Sequence, residues 1–216
     1  MKTEKSFGNI ILDSVDRQVS FSAGQSIKEK LWLCLYFPNL VLEALSLPEP
    51  EWQPYVVYEE AGGQSMIIDV SLAACSAGVE SGMTVGAATV LCPVLIAVPR
   101  KKKLEKKLLR SVASWLNQYS PEISSAETSS KKTLPKNTLL VEIGSSIRLF
   151  GGISPLLYII GSGLNRNFSL TSKSAVAPTP VASYLLAKNI DLYLAESKSK
   201  NKENEILVIK DRSSLR

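Results

Sequence analysis

Few side chains in this chain could do chemistry, and they are scattered. Cys34, Cys75 and Cys92 lie far apart with no C-x-x-C pair, and histidine is absent. That inventory argues against a zinc site and against any histidine-dependent nucleophile. The densest charged feature is basic: Arg100-Lys101-Lys102-Lys103, then Lys106, Lys107 and Arg110. Its plain reading is the solvated start of a helix. Its functional reading is contact with nucleic-acid phosphates, each neutralised phosphate adding salt-dependent affinity. Lys131-Lys132 falls in a polar loop and carries no role. Gly151-Gly152 reads as a turn and not as a phosphate loop, because no Gly-Lys-Ser/Thr follows. No basic strip interleaved with aromatics, of the kind that stacks single strands, is present.

The elements that must position these residues follow from the apolar pattern. The chain has 216 residues, 45% hydrophobic and 21% charged, enough for one large domain or two small ones. Its net charge of +5, from 25 basic and 20 acidic residues, permits nucleic-acid contact without demanding it. Residues 1–30 are polar and read as a variable or disordered leader. The polar, acid-bearing N-terminus is unlike a signal peptide. No apolar run approaches the roughly 18 residues of a membrane span. With scattered thiols, this suits a cytoplasmic protein.

Leu31–Phe37 predicts a buried strand ended by Pro38. Leu40–Leu45 predicts a short helix. Tyr55–Tyr58 and Met66–Val70 predict a strand pair around Gly62-Gly63. Two helices follow, Ser71–Ala77 stopped by Gly78, and one led by Gly82-Met83-Thr84 and ending before Pro93. Leu95–Val98 predicts a strand. Leu104, Leu108, Val112, Trp115, Leu116 and Tyr119 fall at helical spacing and place the basic run on the opposite face. Ser124–Asn137 reads as a loop, and Leu139–Ile143 and Ile147–Phe150 as strands. Ser154 reads as the cap of a helix to about Leu164, with Pro155 at its first position and Gly161-Ser-Gly163 as its stop. A strand over Phe168–Ala177, a helix over Val181–Lys188 and a last strand at Ile206–Ile209 complete the series. The expected class is α+β, an antiparallel-rich sheet with helices on one face.

Four stretches, in this order and spacing, resemble the palm and fingers of Y-family DNA polymerases. They are Leu31–Glu43; Ala77–Thr84 with Ala87, Ala88 and Leu91-Cys92-Pro93; Leu140–Gly152; and Ala175–Ala182. The last two, with the Leu-Trp-Leu opening, look closest to the ImuB-type, non-catalytic subfamily. The resemblance covers about Leu31 to Ile209. It implies a ferredoxin-like palm at 31–37 and 95–209, small fingers at 38–94, and the start of a thumb at 210–216, where the chain is expected to be truncated.

The resemblance also implies site positions. Nucleotidyl transfer in this family uses two divalent ions, and magnesium takes clustered carboxylate oxygens. By register from Glu43, the opening aspartate position is Cys34, a poor magnesium ligand. The second position is Tyr36, where the family contributes mainly a backbone carbonyl. A later acidic pair falls within Glu122–Thr128, where Glu127 is the plausible survivor. Glu142 matches a downstream acidic position that is not a ligand. The triphosphate-binding tyrosine and arginine fall at Leu72 and Cys75, a phosphate-pairing lysine near Pro180, and the steric-gate aromatic at Asn39. The expectation is therefore a chain that is not an enzyme and holds no metal or cofactor. It would be an accessory or adaptor in damage-induced mutagenesis and translesion synthesis, bridging damaged DNA, the sliding clamp, a RecA-like accessory protein and an error-prone polymerase subunit. Lys101, Lys102, Lys103, Lys106, Lys107 and Arg110 are the nucleic-acid candidates. Two alternatives stand beside it. One is an active error-prone polymerase, using magnesium with Asp69 as a substitute acid. The other is a truncated remnant without function.

Overall fold

The computed structural model describes residues 30–46, 53–125 and 135–191. These divide into two compact units: one built from the residues up to Pro38 and from Ser111 onward, the other from Asn39–Arg110.

The larger unit is organised by β1 (Trp32–Tyr36), whose unbroken apolar run reflects burial on both faces. β1 is central in a four-stranded sheet of order β5-β6-β1-β7, with β5 (Ile123–Ser125), β6 (Thr138–Glu142) and β7 (Lys173–Ala177). Every pairing in it is antiparallel. On one face, Trp32, Cys34, Leu140, Ala175 and Ala177 pack against Ala182, Leu186 and Ala187 of the C-terminal helix (Pro180–Lys188). Thr179 caps that helix by accepting the Ala182 N–H, and Pro180 occupies its favoured first position. On the opposite face Leu33, Leu35, Leu139, Val141 and Val176 are buried as completely. Each fully buried leucine contributes about 2 kcal/mol. The expected α+β class, an antiparallel palm-type sheet with helices, is the fold observed.

The smaller unit carries a three-stranded sheet of order β3-β2-β4: β2 (Tyr55–Ala61), β3 (Gln64–Val70) and β4 (Ile96–Pro99). Gly62 and Gly63, at φ 60° and 77°, form the two-residue turn between β2 and β3. Positive φ at both central residues is what such a turn requires. In chain order the helices are α1 (Leu40–Glu43), α2 (Leu72–Ser76), α3 (Val85–Leu91), α4 (Lys102–Leu116), α5 (Ile153–Phe168) and α6, the Pro180–Lys188 helix above. Ser71 and Thr84 cap α2 and α3. Val56, Ile67, Ala74, Val79, Ala88 and Cys92 form this unit's core.

Several expectations are corrected. β4 pairs in parallel with β2 and so belongs to the smaller unit's sheet, not to the palm sheet. That unit runs on to Arg110. Ser124 and Ser125 belong to a strand, because β6 supplies their hydrogen-bonding edge. Residues Ile147–Phe150 form successive turns, held by Ile147 N–H to Ile143 O (3.1 Å) and Gly152 N–H to Ile147 O (2.9 Å). Gly152 at φ 127°, not Ser154, precedes α5, so Pro155 is the third helical residue. β7 begins only at Lys173, since α5 extends through Phe168 and closes at Ser169 in the left-handed region. Residues 1–29, the Ile206–Ile209 strand and 210–216 lie outside the described residues.

Gly161-Ser-Gly163 does not stop the helix. Gly163 is required by a close approach: a Cβ there would lie 2.3 Å and 2.6 Å from two carbons of the Trp115 ring. That ring is also set edge-on to Phe168 and Tyr119, at centroid distances of 5.8 Å and 5.1 Å. Gly163→Val should therefore cost about 2–3 kcal/mol through overpacking, read as a lowered urea midpoint. An unchanged midpoint would show that the Trp115 ring is free to move aside.

Candidate functional site

The palm sheet brings together the positions that sequence reasoning singled out on β1. Register aligns Ser124, Leu140, Cys34 and Ala175 as one row across four strands. Residues paired directly across strands share a face. The chemistry available to this row is set by its neighbours. Cys34 is 0% exposed, and burial pushes its thiol well above the ordinary range. A thiol must lose its proton to bind metal, and this one is held neutral. Leu140 and Ala175 flank it, and Ala182, Leu186 and Ala187 of α6 cover it.

The next row in one direction pairs Trp32 with Glu142 and Ala177. Glu142 is buried, and its carboxylate is occupied by the fold. It accepts the Leu31 N–H (3.3 Å), the Gly144 N–H (2.8 Å) and the Ser145 hydroxyl (3.0 Å). That binds the end of β6 to the start of β1. Glu122, on the strand edge beside it, pairs with Lys30 at 2.8 Å. Both are exposed, and such a pair contributes little.

The row in the other direction pairs Tyr36 with Thr138 and Lys173. Tyr36 is half-buried, with its ring edge-on to Tyr184 at 6.4 Å. Lys173 pairs with Asp191. Across the three rows the described donors are one buried thiol, two carboxylates engaged elsewhere, and hydroxyls. Among the described residues no group of three or more His, Cys, Asp and Glu could hold a metal ion. The described residues of this face thus do not fit a pair of magnesium ions. Glu127 lies outside the described residues.

The other positions fall as follows. Leu72 is 82% exposed and Cys75 is exposed, both on α2 of the smaller unit. Asn39 precedes α1, exposed and without a side-chain cap bond. Pro180 is the first residue of α6 in the larger unit. Asp69 stands on β3, in the other sheet from Cys34. It accepts the Val70 N–H (3.0 Å) and the Leu42 N–H (3.3 Å), while burial pushes its carboxyl up.

The basic run divides in two, which sequence reasoning missed. Arg100 is a structural clamp. Its Nε and Nη2 donate to the two oxygens of Glu105 (2.7 and 2.8 Å), and its Nη1 to Glu59 (3.2 Å). Such forked, charge-assisted bonds are the strong ones. They raise the Arg100 pKa still further, and Lys102 and Arg100 hold Glu59 below its ordinary value. The available signal was Arg100 followed five residues later by Glu105, the sole acid in the α4 segment. The predicted apolar stripe is also shifted. Leu104 is 37% exposed, while Glu105, Val112 and Leu116 are buried.

If the Cys34 row is sealed core, a carboxylate there is costly. Cys34→Asp should lose about 4 kcal/mol at pH 7, as burial raises a carboxyl by roughly 3 pH units. The sign is fixed by linkage. The folded pKa lies above the unfolded one, so the ionisation part of the loss is absent below about pH 4, where only the cost of burying a neutral carboxyl remains, and it grows as pH rises. Cys34→Ser should lose only about 1–2 kcal/mol with no such pH dependence. Equal stability of Cys34→Asp and the parent chain at pH 7 would show a site open to water or ions.

Comparisons with known proteins agree with this architecture. The model of the impB/mucB/samB family matches residues 40–188. Among solved structures, the chain is similar to DinB from Sulfolobus solfataricus, with TM-score 0.58, 18% identity, and coverage of 74% of this chain and 45% of that one. It is similar to the insertion ternary complex of Dbh DNA polymerase, with TM-score 0.61, 18% identity, and coverage of 83% and 48%. A Dbh ternary complex with partially disordered substrates gives TM-score 0.59, 18% identity, and coverage of 86% and 50%. The chain spans about half the length of these structures. No curated protein matches it. The expectation that the chain is not an enzyme is overturned, because the matched structures are those of DNA polymerases.

Proposed function

The chain belongs to the impB/mucB/samB family, and from that premise we propose that it works at damaged DNA in translesion synthesis, as a palm-and-fingers domain of the bypass machinery. The observation that carries this reading is the family match across residues 40–188, which takes in elements of both sheets. The Dbh and DinB likenesses support it through the fold.

A palm contributes rigidity, because reacting groups held within a fraction of an ångström gain most of their rate from position. This chain supplies that rigidity through a central strand paired on both sides and buried on both faces. The Glu142 clamp fixes where β1 begins relative to the end of β6. The finer role we propose is accessory, beside an error-prone polymerase subunit, the sliding clamp and a RecA-like protein. The Leu140–Gly152 and Ala175–Ala182 segments, which resemble the ImuB type, support it.

Deleting the gene in its source organism should lower damage-induced mutation frequency several-fold, and the intact gene should restore it. Mutation frequency and survival that do not change after DNA damage would overturn the reading.

A further inference from the structure

One feature of the smaller unit is not accounted for by the palm chemistry: the cationic half of the Arg100–Arg110 run. The clamp shows which cations are already committed. Arg100 neutralises Glu105 and shares Glu59 with Lys102. Asp69 accepts the Val70 and Leu42 N–H groups, and Glu60, an exposed acid on β2, accepts the Ser65 hydroxyl at 2.6 Å. Lys101, Lys103 and Lys107 are also exposed.

Their arrangement follows from helix geometry. At 3.6 residues per turn, Lys103, Lys106, Lys107 and Arg110 fall within one sector of α4. Glu105, Val112 and Leu116, all buried, occupy the opposite sector. The cations are therefore held outward by the same packing that fixes the helix. From Lys103 to Arg110 the stripe rises about 10 Å, at about 1.5 Å per residue. A duplex strand carries one phosphate per roughly 3.4 Å of axis, so this length faces about three phosphates. Lys101 and Lys103 also line an open cleft of about 750 Å³ whose other walls include Tyr58, Pro99 and Leu104. Glu59, Glu60, Arg100 and Lys102 complete its lining, so the cleft itself carries both signs of charge and the cationic surface is the helix stripe with Lys101 at its start.

We propose that Lys101, Lys103 and Lys107 form a sequence-independent contact for the phosphate backbone of DNA, with Lys106 and Arg110 on the same stripe. The inference rests on the DNA reading above and names a surface for it that lies outside the palm row at Cys34. Binding by such a stripe is electrostatic and releases counterions, so it weakens steeply with salt.

The test is fluorescence anisotropy of the full chain with primer–template DNA over a salt series. The variant is Lys101→Gln with Lys103→Gln and Lys107→Gln. The control is Lys136→Gln with Arg166→Gln and Lys188→Gln, which removes equal charge from exposed positions elsewhere. Circular dichroism confirms that both fold. The stripe variant should lower the slope of log affinity against log salt by about 2.7, at roughly 0.9 per lost phosphate contact on duplex. The control should leave that slope near the parent value. Parent binding with equal slopes for both variants would overturn the stripe and leave the DNA reading standing. A parent chain that binds no DNA at low salt would overturn the stripe and remove support from the DNA reading. Binding of polyglutamate through the three lysines, without DNA binding, would overturn it in favour of an acidic protein partner.

Discussion

The larger unit depends on one constraint: β1 is paired on both sides and packed on both faces. Its backbone groups are spent on β6 and β7, and its side chains alternate between two dry surfaces. A strand so placed tolerates a charge only where partners are built to meet it. At Glu142, one strand over, partners are built: two backbone N–H groups and a hydroxyl converge on the carboxylate. At Cys34 none are, and the position is apolar in all directions. Both features serve the same sheet. One ties its strand ends together, and the other lets α6 close over its middle.

The smaller unit solves its own problem differently. Its sheet mixes one antiparallel hairpin with one parallel strand, and the parallel strand leads directly into α4. The Arg100 fork fastens that exit, joining the residue after β4 to Glu59 on β2 and to Glu105 in the first turn of the helix. Held there, the helix turns its lysines outward. The electrostatic surface is thus a consequence of packing: Glu105 faces in, where the clamp needs it, and Lys103 and Lys107 face out.

Much of this was legible in the residues. The Leu31–Phe37 run, the Gly62-Gly63 turn, the Ser71 and Thr84 caps and the α4 periodicity are local signals, and each produced its element. What failed depended on distant contacts. Ile147–Phe150 has a strand's composition but lacks a partner edge and curls into turns. Gly163 looked like a helix stop because Trp115, the reason for a glycine there, is 48 residues earlier. The sheet that Ile96–Pro99 joins was not legible, because a strand's partner is not written in the strand itself. Cys34 and Tyr36, the positions that the resemblance implies, fall on β1 as expected of that run. Spacing could not show that α6 covers Cys34, or that Glu105 and Glu59 take up Arg100.

The most direct test of the sealed row is thiol accessibility. The native chain is treated with a maleimide, quenched, digested and mapped by mass spectrometry. Cys75, exposed on α2, should be modified promptly, while Cys34 should react only after denaturant unfolds the sheet. Modification of Cys34 in the native chain at a rate near that of Cys75 would contradict the account. It would show that the row around Cys34 is open to solvent.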